Sequence, residues 1–290
     1  MQIGQTMPPS RQAAPNPGQF PGPFPSLLPR GAPPRVERRT PNMAALNRPV
    51  LARVESLPPG SWARAHTHPW AQLSYAVEGI LLVRTATGSY IAPPERAVWI
   101  PPGIAHEVTT TAKAEMRSLY VQPLPEPLGA GSQPCVLGIS PLVRELIVAV
   151  CALPSDYDEA GPEGRLVSVL LDQLATLAPV SLDLPWPSDP RLLRVSQALQ
   201  TDPADQRTLA QWGFEVGLSE RSLARLFKEQ TGLSLGDWRR RLRLLLSLGP
   251  LAAGAKVSSV ANDSGYSAVS AFIAAFSQEF GQTPTQMFGR

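Results

Sequence analysis

Two cysteines and three histidines are few for 290 residues, and long apolar runs are absent. Cys135 and Cys151 have neither CxxC spacing nor a secretory segment ahead of them. That excludes a disulfide scaffold and leaves cytosolic free thiols as the reading, with a redox switch between the two as the lesser alternative. No apolar stretch approaches the roughly 20 residues that a membrane-spanning helix needs, and the start of the chain lacks the apolar core of a signal peptide. A soluble, cytoplasmic protein with no membrane partner is expected. Net charge is scarce too: 26 Lys and Arg against 23 Asp and Glu leave +3, which alone does not demand a polyanionic partner. The placement of charge says more. Residues 1–40 hold five Arg against one Glu, residues 41–187 hold nine basic against thirteen acidic, and residues 188–290 hold twelve basic against nine acidic. An acidic middle joined to a basic end suits separate sensing and DNA-contacting parts, and the length suits two domains, each with its own core.

Proline, in contrast, is abundant at the start. Residues 1–42 are crowded with it and show no apolar period, so a disordered or extended tail is expected there, with Arg35, Arg38 and Arg39 as cations. Between Val50 and Val121, short β-rich runs alternate with turn residues, the texture of a sandwich or barrel. Beyond Pro134 the period changes. Leu142, Leu146, Ile147 and Val150, then Leu166, Val169, Leu170 and Leu174, mark two amphipathic helices. The polar stretch 154–164 lets them fold back as a hairpin, expected over 135–184 as a linker and candidate dimer surface. The turn-rich junction Leu184-Pro185-Trp186-Pro187-Ser188-Asp189-Pro190 then opens a helical region, 188–290.

All three histidines, His66, His68 and His106, fall in the β-rich segment. Side chains two apart on a strand share a face, so His66 and His68 are expected to point together. The turn Pro101-Pro102-Gly103 suits a hairpin that returns His106 to them. Converging imidazoles suit a divalent transition metal (Ni, Zn, Co or Fe), with Gln72 as fourth ligand. They equally suit hydrogen bonding inside a pocket for an organic effector. Trp62, Trp70, Tyr75 and Trp99 serve as pocket wall or as core in that segment.

The spacing Gly60, His66, His68, Gln72, Gly79, followed by Pro101-x-Gly103-x-x-His106, resembles the two motifs of the cupin family. Three departures are plain. Gln72 stands where the family has an acid, Glu95 where it has the leading Gly of the second motif, and Thr110 where it has Asn. The resemblance implies a small β-barrel over about 43–127, and Gln72 weakens the metal expectation.

From Thr208 the chain reads TLAQWGFEVGLSERSLARLFKEQTG. Leu209, Trp212 and Val216 make one apolar stripe, Gly217 a sharp turn, Ser219 a cap, and Leu223, Leu226 and Phe227 a second stripe: helix, turn, helix. Arg221, Ala224, Arg225 and Lys228 then lie on the outer face of the second helix, where Arg can read guanine edges or hold phosphate. The pattern recurs as VSSVANDSGYSAVSAFIAAFSQEFGQTP, with Val257, Val260, Gly265, Tyr266, Phe272, Phe276 and Phe280. Between the copies, an amphipathic helix from Trp238 to Leu246 presents Arg239, Arg240 and Arg243, read as phosphate clamps or as a solvated basic face.

Leu223, Arg225, Phe227, Gly232, Trp238, Arg243, Leu244, Gly265, Tyr266, Phe272, Phe276, Gly281 and Pro284 carry a resemblance to the AraC/XylS family of transcription regulators. It implies that both recognition helices enter successive major grooves. Ser219, Arg221, Ala224 and Arg225 then sit at DNA-reading positions of the first unit, and Val269, Ser270, Ala271 and Ala274 at those of the second. The second set lacks Arg or Gln, so it is expected to read thymine methyls and backbone. The whole reads as an α+β chain: a β-barrel, cupin-like sensor and an all-α domain with two helix-turn-helix units. The expected function is promoter binding modulated by an effector or metal, in a homodimer that works with RNA polymerase and catalyses nothing. A cupin metalloenzyme of dioxygenase type with an accessory DNA-binding tail is the alternative.

Overall fold

A computed structural model describes residues 36–40, 43, 45–86, 88–110, 112–123, 132–180 and 182–289. Most of the expected tail, with Arg35, lies outside the described residues. The described chain runs β1 (Val36–Glu37), β2 (Val50–Leu57), β3 (Ser61–His66), β4 (Ala71–Glu78), β5 (Leu81–Thr85), β6 (Gly88–Ala92), β7 (Arg96–Ile100), β8 (His106–Thr110), β9 (Ala114–Val121) and β10 (Cys135–Gly138). Helices α1 (Pro141–Cys151) and α2 (Pro162–Ala175) follow, then β11 (Pro179–Val180) and β12 (Asp183–Pro185). The remainder is helical: α3 (Pro190–Thr201), α4 (Leu209–Val216), α5 (Glu220–Thr231), α6 (Leu235–Ala252), α7 (Val257–Asp263), α8 (Val269–Phe280) and α9 (Pro284–Phe288).

The strands form two six-stranded sheets, ordered β1-β3-β8-β5-β6-β12 and β11-β10-β7-β4-β9-β2. This corrects the expected barrel: the sheets face each other as a sandwich and do not close, since each keeps two edge strands. Leu81 and Val83 of the first sheet and Ala76, Val98, Ile100 and Met116 of the second share one core cluster.

The second sheet is covered on both sides, which explains why β4 is buried over six consecutive residues instead of alternating. Residues of one parity, Leu73, Tyr75, Ala97, Trp99, Leu119 and Val121, turn away from the sandwich and meet Val143, Ile147 and Val150 of α1 and Val167, Leu170 and Leu174 of α2. Of the expected aromatics, Tyr75 and Trp99 are thus core, Trp70 is buried in a smaller cluster with Leu46 and Tyr120, and Trp62 is half-buried. The hairpin does not stand apart as a linker: its apolar stripe is spent on the sheet, and β10, β11 and β12 extend both sheets. Of its large apolar side chains among the described residues, Leu142, Val148 and Val169 remain exposed.

In the helical region several elements begin and end on capping residues. Thr208 and Gln211 form a capping box at the start of α4. Gly217, at φ 71°, ends α4 in the left-handed conformation. Gly213 lets the turn fold back tightly, because a Cβ there would lie 2.6 Å from the Leu218 carbonyl oxygen. Ser219 caps α5, its Oγ accepting from Ser222 N at 3.1 Å. The long α6 is buried along Leu235, Trp238, Leu242, Leu244, Leu245 and Leu248, with α5, α7, α8 and α9 packed around it. Glu279 of α8 is tied to Arg241 of α6 at 2.9 Å. No described helix is long and apolar enough to cross a membrane.

Candidate functional site

The three imidazoles come together, by a route the sequence does not announce. Strand β3 pairs antiparallel with β8, with Ala63 opposite Val108 but His66 opposite His106. Three steps on one strand against two on the other are a β-bulge, which flips the face of everything after it. Without the bulge His66 would share the outer face with exposed Arg64; with it, His66 turns to the side of buried Ala63. His68 lies beyond the end of β3, so the expected two-residue strand alternation does not place it. A turn does, pinned where Gly103 N donates to the His68 carbonyl at 2.9 Å. Nor is 101–105 a hairpin: β7 belongs to one sheet and β8 to the other, so this segment crosses between sheets and delivers His106 into the sandwich.

Ring centroids are 4.3 Å apart for His66 and His106, 5.1 Å for His68 and His106, and 5.9 Å for His66 and His68. One ring nitrogen from each lies within 4.8 Å of the others. Every Nδ1 faces a main-chain carbonyl: Arg64 O at 2.8 Å from His66, Trp70 O at 2.6 Å from His68, and Ile104 O at 2.9 Å from His106. A carbonyl accepts only, so each Nδ1 carries the proton and each Nε2 offers a lone pair. Gln72 Oε1 stands 3.0 Å from His68 Nε2 and 3.3 Å from His106 Nε2. Its Nε2 donates to Ser74 Oγ at 3.0 Å and Ser118 Oγ at 3.4 Å. Three imidazole lone pairs and a carbonyl oxygen around one point, with back-bonded Nδ1 groups fixing the rings, fit a divalent cation. They equally fit a neutral state in which the amide is turned over, its NH2 donating to the two imidazoles and its oxygen accepting from the two serines.

Burial, more than the neighbouring imidazole of His66, drives the His106 pKa down to about 3, and burial likewise lowers that of His66. His106 is therefore neutral at pH 7, as a ligand or hydrogen-bond acceptor must be. A cavity of about 280 Å³ opens on this cluster, lined by Thr40, Met43, His66, Thr67, His68, Pro69, Trp70 and Tyr120.

The cysteines form no comparable site. Burial, first among the causes, raises both thiols to about 11, so little thiolate exists at neutral pH and the redox-switch alternative loses its chemistry.

On the helical side, Arg221, Arg225 and Lys228 are exposed on one face of α5, with Ala224 half-buried between them. Arg225 Nη1 is held by Glu229 at 2.8 and 2.9 Å. Val269, Ser270, Ala271 and Ala274 are exposed on α8. The arginines of α6 do not act alike. Arg243 donates from Nε to Pro203 O at 2.6 Å and from Nη2 to Asp205 O at 3.1 Å. Arg239 donates to Arg207 O at 2.9 Å and to Asp205 O. These two staple the 203–207 loop to α6, each with two of its five guanidinium N–H donors on main-chain carbonyls. Only Arg240 of the three is exposed.

A sheet sandwich that gathers three histidines, joined to a helix-turn-helix region with cations on its second helix, defines the class of sensor-linked DNA-binding regulators. Residues 53–122 match the cupin domain model and residues 212–290 a helix-turn-helix domain model. The chain is 35% identical to the HTH-type transcriptional regulator NimR of Escherichia coli K12 over 228 residues, 78% of this chain and 82% of that one. It is 36% identical to the HTH-type transcriptional regulator RipA of Corynebacterium glutamicum over 35% of this chain and 30% of that one. Among solved structures, ToxT from Vibrio cholerae aligns over 83% of this chain and 98% of its own at 11% identity, with a TM-score of 0.36. The chain belongs to the AraC-type family of helix-turn-helix transcription regulators, as a member with a cupin effector domain.

Proposed function

We propose that residues 36–185 form the sensor, that residues 188–289 form the DNA-binding domain with two helix-turn-helix units, and that occupancy of the tri-histidine cavity shifts promoter affinity. The observation that carries this reading is the convergence of His66, His68, His106 and Gln72 on one point beside a cavity. A ligand there acts only through unequal affinity for two arrangements of the protein. The donor set favours Zn, Ni, Co or Fe as cation, held by the three Nε2 atoms with Gln72 Oε1. Such an ion would supply charge and geometry to the cluster. A dioxygenase is disfavoured because Gln72 stands in place of a charge-balancing carboxylate.

For DNA, α5 and α8 are the recognition helices. Arg221, Ala224 and Arg225 face base edges, Ser219 and Lys228 face phosphate, and Val269, Ser270, Ala271 and Ala274 face the second groove, with Arg240 as a backbone contact. The left-handed Gly217 and Gly265, each between two helices, support two such units. Exposed Leu142, Val148 and Val169 favour a homodimer built on the hairpin. Contact with RNA polymerase is the route by which bound protein would alter transcription.

The experiment is selection of duplexes from a random pool, followed by binding curves for the preferred sequence. Arg225→Ala should weaken specific binding by about 1–3 kcal/mol and relax preference at one base pair. An unchanged preference would remove Arg225 from the readout.

A further inference from the structure

The cavity beside the imidazoles does not end on apolar wall. Thr40 lines it and also lines a second cleft, of about 490 Å³, with Glu37, Arg38, Arg39 and Arg64. The segment 36–40 is held along β3, which carries Arg64: Val36 N donates to Gly60 O at 3.2 Å and Arg38 N to Trp62 O at 2.8 Å. Four cations gather here, Arg38, Arg39, Arg53 and Arg64. Glu55 pairs with Arg38 at 2.6 Å and with Arg53 at 2.7 Å, and Glu37 pairs with Arg64 at 2.6 Å. Two carboxylates against four guanidiniums leave positive charge over, and Arg39 has no acidic partner among the described residues. Arg38 is half-buried, with its Nε–H enclosed and lacking an acceptor, and its charge is felt by His66, His106 and Tyr120. A polar hydrogen buried without a partner is costly and marks a place for one.

The inner walls favour a flat group. Trp70 stacks on His68 with centroids 5.3 Å apart and planes 6° from parallel, and Tyr120 stands edge-on to both at 6.1 and 6.3 Å. Trp70 is itself 4% exposed, and its indole N–H also lacks an acceptor.

We propose that the two clefts that share Thr40 bind a small ring-bearing carboxylate, its ring against the wall made by Trp70, Tyr120 and the imidazoles and its carboxylate on Arg38 and Arg39. This deepens the effector reading and rests on it. The arginines supply charge-assisted donors that a neutral ring compound cannot use. Glu55 and Glu37 hold the arginines in place and reject a second anion.

The test is calorimetric titration of the full chain, dialysed against chelator, with benzoate, nicotinate and 2-furoate and with the matching amides. The proposal expects each carboxylate that binds to do so about tenfold or more tightly than its amide. Arg39→Gln, an exposed change with no ion pair to lose, should remove most of that preference while leaving the melting temperature unaltered. Equal binding of acids and amides, no binding of any acid, or a preference untouched in Arg39→Gln overturns the proposal. DNA affinity measured on the same samples separates it from its premise. If an amide or zinc shifts DNA affinity while no acid binds, the sensor reading stands without the carboxylate; if every bound ligand leaves DNA affinity unchanged, the sensor reading itself falls.

Discussion

Glu95 is the one non-glycine residue with positive φ among the described residues, at 63°. It stands where the cupin pattern has glycine, in the turn between β6 and β7, and its carbonyl accepts from Ile139 N at 2.9 Å. The departure from the family pattern changes the residue without changing the backbone, so the turn is kept at a cost in strain of about 1–2 kcal/mol. Glu95→Gly should stabilise the protein, by about 0.5–1 kcal/mol once glycine's extra freedom in the unfolded chain is subtracted. A rise in the urea midpoint at constant slope is the measurement that checks it. The two thiols make a second residue-scale case. With pKa values raised from 9.0 to about 11, their thiolate fraction at pH 8 is about a hundredfold below that of an ordinary cysteine, and the deficit persists until pH nears 11. Native protein should react slowly with a disulfide reagent at pH 8 and rapidly once unfolded; fast reaction of both thiols in the native state would contradict the burial argument.

At the scale of elements, the hairpin α1–α2 behaves as part of the sensor. Leu170 is fully buried against the second sheet, so Leu170→Ala should cost about 2–5 kcal/mol. Val169→Ser on the neighbouring exposed position should leave the melting curve nearly unchanged; a sedimentation run on the same variant reports whether that face joins two copies. The sequence carried the helices, the turn glycines and the residues of the histidine cluster, because each has a local signature: a period, a cap, a φ that only glycine adopts cheaply. It did not carry what covers a strand or where a strand changes face. The continuous burial of β4 reflects helices packed on its far side, and the bulge after Ala63 leaves no composition signal beyond the misfit of His66 with exposed Arg64. The loop contacts of Arg239 and Arg243 were illegible for a related reason. A basic helical face looks the same whether its guanidiniums meet phosphates or the carbonyls of a loop 32 to 40 residues away.

For the whole molecule, the joint between the two parts is short and specific. Strand β12 pairs with β6 at the edge of the first sheet, matching Leu184 to Ser89. The next residue after β12, Trp186, donates from Nε1 to Ser89 Oγ at 2.9 Å. Its ring meets Trp238 of α6 edge-on at 5.7 Å, and Trp238 meets Phe227 of α5 at 5.7 Å. Trp238 Nε1 in turn donates to Pro185 O at 2.8 Å. A packed chain of this kind connects the first sheet to α5, and it transmits a signal only if its two ends favour different arrangements. Under the proposed function, occupancy of the tri-histidine cavity changes DNA affinity through this joint. The most direct measurement is fluorescence anisotropy of a selected operator duplex with the full chain, first dialysed against chelator and then titrated with zinc, for the natural protein and for the His66→Ala, His68→Ala double variant. The account predicts that zinc shifts operator affinity by about fivefold or more in the natural protein and leaves the double variant unmoved. Stoichiometric zinc binding that leaves operator affinity unchanged, or an equal shift in both proteins, would contradict it.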